Sequence, residues 1–112
     1  MRSDKQRLID IQEAIIKIEK YTLKGKDMFM KDELIQTWML YNLQIIGEAV
    51  RSISQNFKNC HENIQWNDIS DFRNLLVHEY FRIDLEIVWQ IIEQEIPELK
   101  IKIKLLLKEI QT

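Results

Sequence analysis

Apolar residues in this chain recur three and four positions apart along most of its length. Leu8, Ile11, Ile15, Ile18 and Thr22 repeat in this way and predict a first helix from about residue 4 to about residue 22. LKGKD follows, with a glycine and an aspartate that suit a turn. A long second helix is predicted from about residue 32 to about residue 56, with Leu34, Trp38, Tyr41, Ile45 and Ala49 on one stripe. Gly47 lies well inside it, where glycine costs about 1 kcal/mol relative to alanine. Either another helix, from this chain or a second subunit, approaches closely there, or the glycine is a tolerated weak spot.

NFKNCHEN reads as a polar loop. A third helix is predicted to begin near Trp66, with Asn67 or Asp68 in its cap, and to run through RNLLVHEY, residues 73–80. Asp84 is a good N-cap for a fourth helix, LEIVWQIIEQEI, with Leu85, Val88, Trp89 and Ile92 inward. Pro97 suits the first turn of a fifth. IKIKLLLK alternates like a strand in isolation, yet Leu99, Ile103, Leu106 and Ile110 step by four, three and four, a helical stripe. Ile101 and Leu105 fall off that stripe, so this helix is expected to pack on two sides. The pattern predicts an all-α bundle of four or five helices, without internal repeats or low-complexity segments.

Composition narrows the function classes. The 112 residues fit one domain, residues 1–112, and only 2 Gly and 1 Pro punctuate them, which favours a few long helices. A formal charge of -2 is nearly balanced, so any grip on nucleic acid must be local rather than a bulk electrostatic effect. A single cysteine, Cys60, excludes an internal disulfide and a Cys-rich zinc site. No apolar run approaches a membrane span, and MRSDKQRL lacks a signal-peptide core. The expected compartment is therefore the cytoplasm, with no membrane partner.

The chemistry-bearing groups concentrate in RNLLVHEY, which breaks an apolar run with Arg73, Asn74, His78 and Tyr80. Buried helices do not carry such groups unless each is paired. On a regular helix Asn74, His78 and Arg82 share one stripe, and Arg73 and Tyr80 share a neighbouring one with Leu76 and Val77. Arg73 and His78, however, diverge by about 140° around the axis. Two arrangements bring them together: a helix that ends or bends near His78, or a two-fold dimer that joins two copies of the segment in one cleft. Such a cleft suits a phosphodiester, because histidine exchanges a proton near neutral pH and arginine presents a planar fork to phosphate oxygens. On RNA, one histidine would deprotonate a 2′-hydroxyl and another would protonate the leaving 5′-oxygen. Each such step contributes about 10²–10⁴-fold. Arg73 would stabilise the transition-state charge and Asn74 would orient a histidine or the phosphate. No metal or other cofactor is called for.

Plain structural roles stand beside these. A His–Arg pair near a helix end commonly caps or sits at the surface, and Tyr80 on an apolar stripe suits a core aromatic whose hydroxyl reaches water. Cys60 beside His61 is set aside as a nucleophile–base pair, since sequence neighbours in a polar loop seldom have the geometry. Trp38, Trp66 and Trp89 sit at core spacing and read as packing. The lysines of the last helix read as its wet face.

The run IQWNDISDFRNLLVHEYFRIDLEIVWQIIEQEIPELK resembles the C-terminal half of HepT-like proteins, single-domain toxins of the HEPN superfamily. YNLQIIGEAVRSIS resembles that family's second helix, with its IGEA sequence. The family's Arg-x4-His-x-Tyr motif falls on Arg73, His78 and Tyr80, with Asn74 as the polar residue after the arginine, and no position departs from it. The resemblance implies a homodimeric, metal-independent endoribonuclease acting on RNA, with Arg73 and His78 catalytic and Asn74 in support. It further implies a toxin paired with a minimal nucleotidyltransferase antitoxin of the MntA type, which transfers AMP onto Tyr80 and blocks the cleft. Assembly with that antitoxin beyond the dimer is also open. Glu48, within IGEA, lines the cleft and orients Arg73 on one reading; on another it is a solvated helix carboxylate. The competing function is a helical partner that presents itself to the nucleotidyltransferase and has no chemistry of its own. The plainest alternative is a structural dimer in which Arg73 and His78 merely cap and pair.

Overall fold

Ser3 opens the first helix with a reciprocal cap. Its hydroxyl accepts the Gln6 N–H at 3.1 Å, and its own N–H donates to Gln6 Oε1 at 2.8 Å. This satisfies two backbone donors that a bare helix start leaves open. A computed structural model describes residues 2–70 and 83–111, and everything below refers to those. Helix α1 runs Asp4–Thr22 and buries Leu8, Ile11, Ala14, Ile15 and Ile18, the stripe its spacing predicts. Thr22 closes it by donating its hydroxyl to the Ile18 carbonyl at 2.8 Å.

The turn predicted at LKGKD is shorter than expected. Gly25 takes φ +88°, a conformation that side-chain-bearing residues rarely adopt. From it springs a short helix, α2 (Gly25–Lys31), whose buried residue is Phe29. Phe29 packs on Trp89 with ring centroids 5.5 Å apart. Asp32 then caps α3 (Glu33–Ser52) by accepting the Leu34 and Ile35 N–H groups at 2.9 and 3.3 Å.

Helix α3 corrects two expectations. Its buried face is Ile35, Met39, Asn42, Leu43, Ile46, Gly47, Ala49 and Val50. Of the predicted stripe Ala49 is buried and Trp38 and Ile45 are half-buried against the core, whereas Leu34 and Tyr41 turn outward, 82% and 60% exposed. More than half the circumference of this helix is apolar, so two stripes compete, and packing against α1 selects between them. The helix also ends early. Ile53 is extended, and Ser54 caps a further short helix, α4 (Gln55–Cys60), by accepting the Phe57 N–H at 3.2 Å. Asp4, fifty residues upstream, fixes this break: its carboxylate accepts the Ser54 N–H at 2.9 Å and the Ser54 hydroxyl at 2.7 Å. Part of the predicted NFKNCHEN loop is therefore helical.

Residues 66–70 are helical and are designated α5; Gln65 accepts the first bond, from Ile69, so Asn67 and Asp68 occupy the first turn rather than the cap. Asp84 caps α6 (Leu85–Gln90) through the Glu86 N–H at 2.9 Å, as predicted. No loop then precedes α7 (Ile96–Gln111); a five-residue π-helical turn, Ile91–Glu95, joins the two. The Ile96 N–H reaches back to the Ile91 carbonyl. Proline lacks an N–H and its ring crowds the carbonyl four residues back, and a wider turn just ahead of Pro97 accommodates both effects without breaking the helix. Leu99, Ile103 and Leu106 are buried as predicted, whereas Ile110 is 38% exposed and Ile101 and Leu105 lie open to solvent.

Helix α1 is the centre of the bundle, packing chiefly on α3 and next on α7, while α2 lies against α3 and α6. The protein is all-α, with no strand among the described residues.

Candidate functional site

Arg73, Asn74, His78, Tyr80 and Arg82 lie outside the described residues. The elements on either side of them are fixed firmly. On the N-terminal side Trp66 is buried and its indole N–H donates to the His61 carbonyl at 3.0 Å, with Ile69 packed on the core edge. On the C-terminal side Ile83 packs against the core and Asp84 caps α6. The motif thus runs between two anchored ends.

Glu48 is half-buried on α3. It lines a groove of about 220 Å³ between α1 and α3 with Arg7, Asp10, Tyr41, Gln44 and Ile45. Asp10 is held by a bidentate pair with Arg2, and the Arg7 Nε is buried with no hydrogen-bond partner among the described residues. The proposed contact of Glu48 with Arg73 lies outside the described residues. Gly47, beside it, is buried.

The second histidine has a structural role. His61 Nδ1 stands 2.9 Å from the Phe57 carbonyl, its Nε2 lies 3.5 Å from a Glu109 oxygen, and its ring stacks on Phe57 at 4.3 Å. These contacts close the C-terminus of α4, in keeping with setting aside Cys60–His61 as a reactive pair. The tryptophans also act in packing. Trp66 and Trp89 are buried, and Trp89 donates to Glu93 at 3.2 Å. Trp38 is only half-buried and donates to the Lys17 carbonyl at 2.8 Å. On α7, Lys100 pairs with Glu19 at 2.8 Å and Lys102 donates to the Asn63 carbonyl at 3.2 Å, while Lys104 and Lys108 are exposed.

Near the π turn, Glu95 faces a small cavity with Asp68, Glu98 and Lys102. Burial, and then the neighbouring Asp68 and Glu98 charges, push the Glu95 carboxyl above its ordinary value. Among the described residues no group of three or more His, Cys, Asp or Glu side chains is placed to hold a metal ion, and no helix is long and apolar enough to cross a membrane.

One feature went unforeseen in the sequence. Because Leu34 and Tyr41 point outward, an apolar groove of about 490 Å³ opens where α1, α2 and α3 meet. The signal was present in the second, competing stripe of α3.

A sequence model described as ribonuclease HepT-like matches residues 11–106. A protein of Thermococcus cleftensis named "Probable ribonuclease HepT" is 38% identical over 108 residues, covering 96% of this chain and 98% of its own length. "Putative RNase TTE0752" of Caldanaerobacter subterraneus subsp. tengcongensis is 34% identical over 99 residues, 88% of each chain. No solved structure matches this chain at a significant level.

Proposed function

The chain belongs to the ribonuclease HepT-like family, and from that premise we propose that it is an endoribonuclease whose chemistry resides in RNLLVHEY. The observation that carries this is the family match, which spans the motif and nearly all of the described core. His78 of one protomer accepts the proton of a 2′-hydroxyl, whose oxygen attacks phosphorus. The phosphorus–5′-oxygen bond breaks, and a second His78 across a two-fold axis donates a proton to the leaving oxygen. The products are a 2′,3′-cyclic phosphate and a free 5′-hydroxyl. Arg73 binds the phosphoryl oxygens as charge builds on them, and Asn74 orients the histidine or the phosphate. No step in this scheme requires a metal ion. The 140° divergence of Arg73 and His78 on a straight helix supports the dimer as the active unit.

The same reading makes the protein the toxin of a toxin–antitoxin pair. A nucleotidyltransferase partner forms a bond between the Tyr80 oxygen and the α-phosphorus of ATP and releases pyrophosphate. The added AMP places bulk and a phosphate beside the arginines that would otherwise hold RNA. Glu48 serves the cleft by orienting Arg73.

An RNA cleavage assay with Arg73→Ala and His78→Ala, each checked for helix content by circular dichroism, tests the nuclease. Both variants are expected to lose cleavage, and full cleavage by the double variant would end the proposal. Intact mass after expression with and without a nucleotidyltransferase of the MntA type tests the control. Mass gains in AMP steps that vanish in Tyr80→Phe are expected. Absence of cleavage by unmodified protein, with stable binding of the transferase, would instead favour a non-catalytic presenting partner.

A further inference from the structure

The groove between α1, α2 and α3 is walled by Tyr21, Lys24, Met28, Leu34, Trp38 and Tyr41. Its volume of about 490 Å³ falls within the range of small-ligand sites and accommodates a nucleobase with its sugar. Tyr21 and Trp38 meet edge to face, centroids 5.5 Å apart and planes at 73°. Tyr41, also in the groove wall, is 60% exposed.

Charge identifies the occupant. The Lys20 and Lys24 ammonium groups stand 5.8 and 6.0 Å from the centre of the Tyr21 ring, and neither forms an ion pair among the described residues. Two other lysines pair with carboxylates: Lys26 with Glu86 at 2.6 Å and Lys100 with Glu19 at 2.8 Å. The one carboxylate in the groove wall, Asp32, spends an oxygen on capping α3. Two exposed cations beside an aromatic ledge complement a chain that alternates planar bases with phosphates. An aliphatic partner helix would fill the groove but leave both ammonium groups unanswered.

We infer that this groove is an accessory site for single-stranded RNA, in which Tyr41 stacks a base beside the Tyr21–Trp38 pair while Lys20 and Lys24 hold flanking phosphates. It deepens the ribonuclease reading and rests on it: the site holds substrate away from the reacting bond. A chain with net charge -2 gains no general attraction for RNA, so a local grip of this kind matters more here than in a basic nuclease.

The test is equilibrium binding of a labelled 2′-O-methyl oligouridine, which lacks the attacking hydroxyl, measured across a salt series with the full chain. Lys20→Ala/Lys24→Ala is expected to reduce the dependence of log K on log salt by about 1.4, or about 0.7 per lost phosphate contact. Tyr41→Ala is expected to weaken binding about tenfold, the loss of one stacked base. Lys104→Ala/Lys108→Ala, which removes the same charge from exposed positions on α7, serves as the control and is expected to bind as wild type. All these positions are exposed, so the variants fold. Wild-type binding by both groove variants, or losses no greater than the control's, would overturn the inference. Wild-type RNA binding with lost association of the nucleotidyltransferase would overturn it too, and make the groove a protein-docking surface. If the unaltered protein cleaves RNA while the groove variants bind normally, only the accessory site falls. If it neither cleaves nor binds, the ribonuclease proposal falls with it.

Discussion

Phe29→Ala is the sharpest test of how this bundle is held. Helix α2 has seven residues, too few to persist without tertiary support, and Phe29 is its buried anchor at 1% exposure. Truncation removes the ring from water-free packing, leaves a cavity against Trp89, and loses an aromatic pair. Large-to-small changes of this kind cost about 3–5 kcal/mol, against a total stability of about 5–15 kcal/mol for a domain. At this chain length the melting temperature should fall by about 12–20 °C. Phe29→Leu keeps most of the volume and should cost about 1.5 kcal/mol or less. The assay is urea unfolding at 25 °C followed by tryptophan fluorescence, which reports Trp38, Trp66 and Trp89 together. A lower midpoint with an unchanged slope is the expected result. A loss below about 1 kcal/mol in Phe29→Ala would refute the anchoring role, because a cavity at a fully buried aromatic cannot be that cheap without collapse of the site.

Asp4→Ala should cost about 1 kcal/mol by denaturant unfolding, because it strips two acceptors from Ser54 at a largely exposed site; no loss would mean that α4 holds its position unaided. Ile103→Ala should cost about 2–5 kcal/mol and Ile101→Lys no more than about 0.5 kcal/mol, a contrast that holds on a helix and disappears if the two residues share a strand face. Glu95→Gln should raise the melting temperature at pH 7. The folded-state carboxyl titrates above its ordinary 4.5, so the wild type is penalised as pH rises beyond that value and the advantage of the variant should fade as pH falls below it. An equal difference at pH 7 and pH 4 would show that the amide acts through packing instead.

The sequence by itself determined the helical class and the ends of α1, because the three-and-four spacing of Leu8 to Ile18 leaves one buried stripe and Ser3 and Thr22 act on neighbours within a turn. The Asp84 cap and the inward face of Leu99, Ile103 and Leu106 were legible for the same reason: each depends on contacts three or four residues away. The motif that carries the functional reading was legible as chemistry, through the family's Arg-x4-His-x-Tyr spacing on Arg73, His78 and Tyr80, while the geometry of those side chains lies outside the described residues. Only the tertiary structure decided where α3 stops, since Asp4 reaches Ser54 from fifty positions upstream. It also decided which of two apolar stripes on α3 enters the core. Local hydrophobicity could not choose between Leu34–Tyr41 and Ile35–Asn42, because both satisfy helical spacing; the neighbouring helix chose. The residues left outside, Tyr41 and Leu34 among them, became the wall of a groove whose apolar stripe was legible but whose outward placement was not.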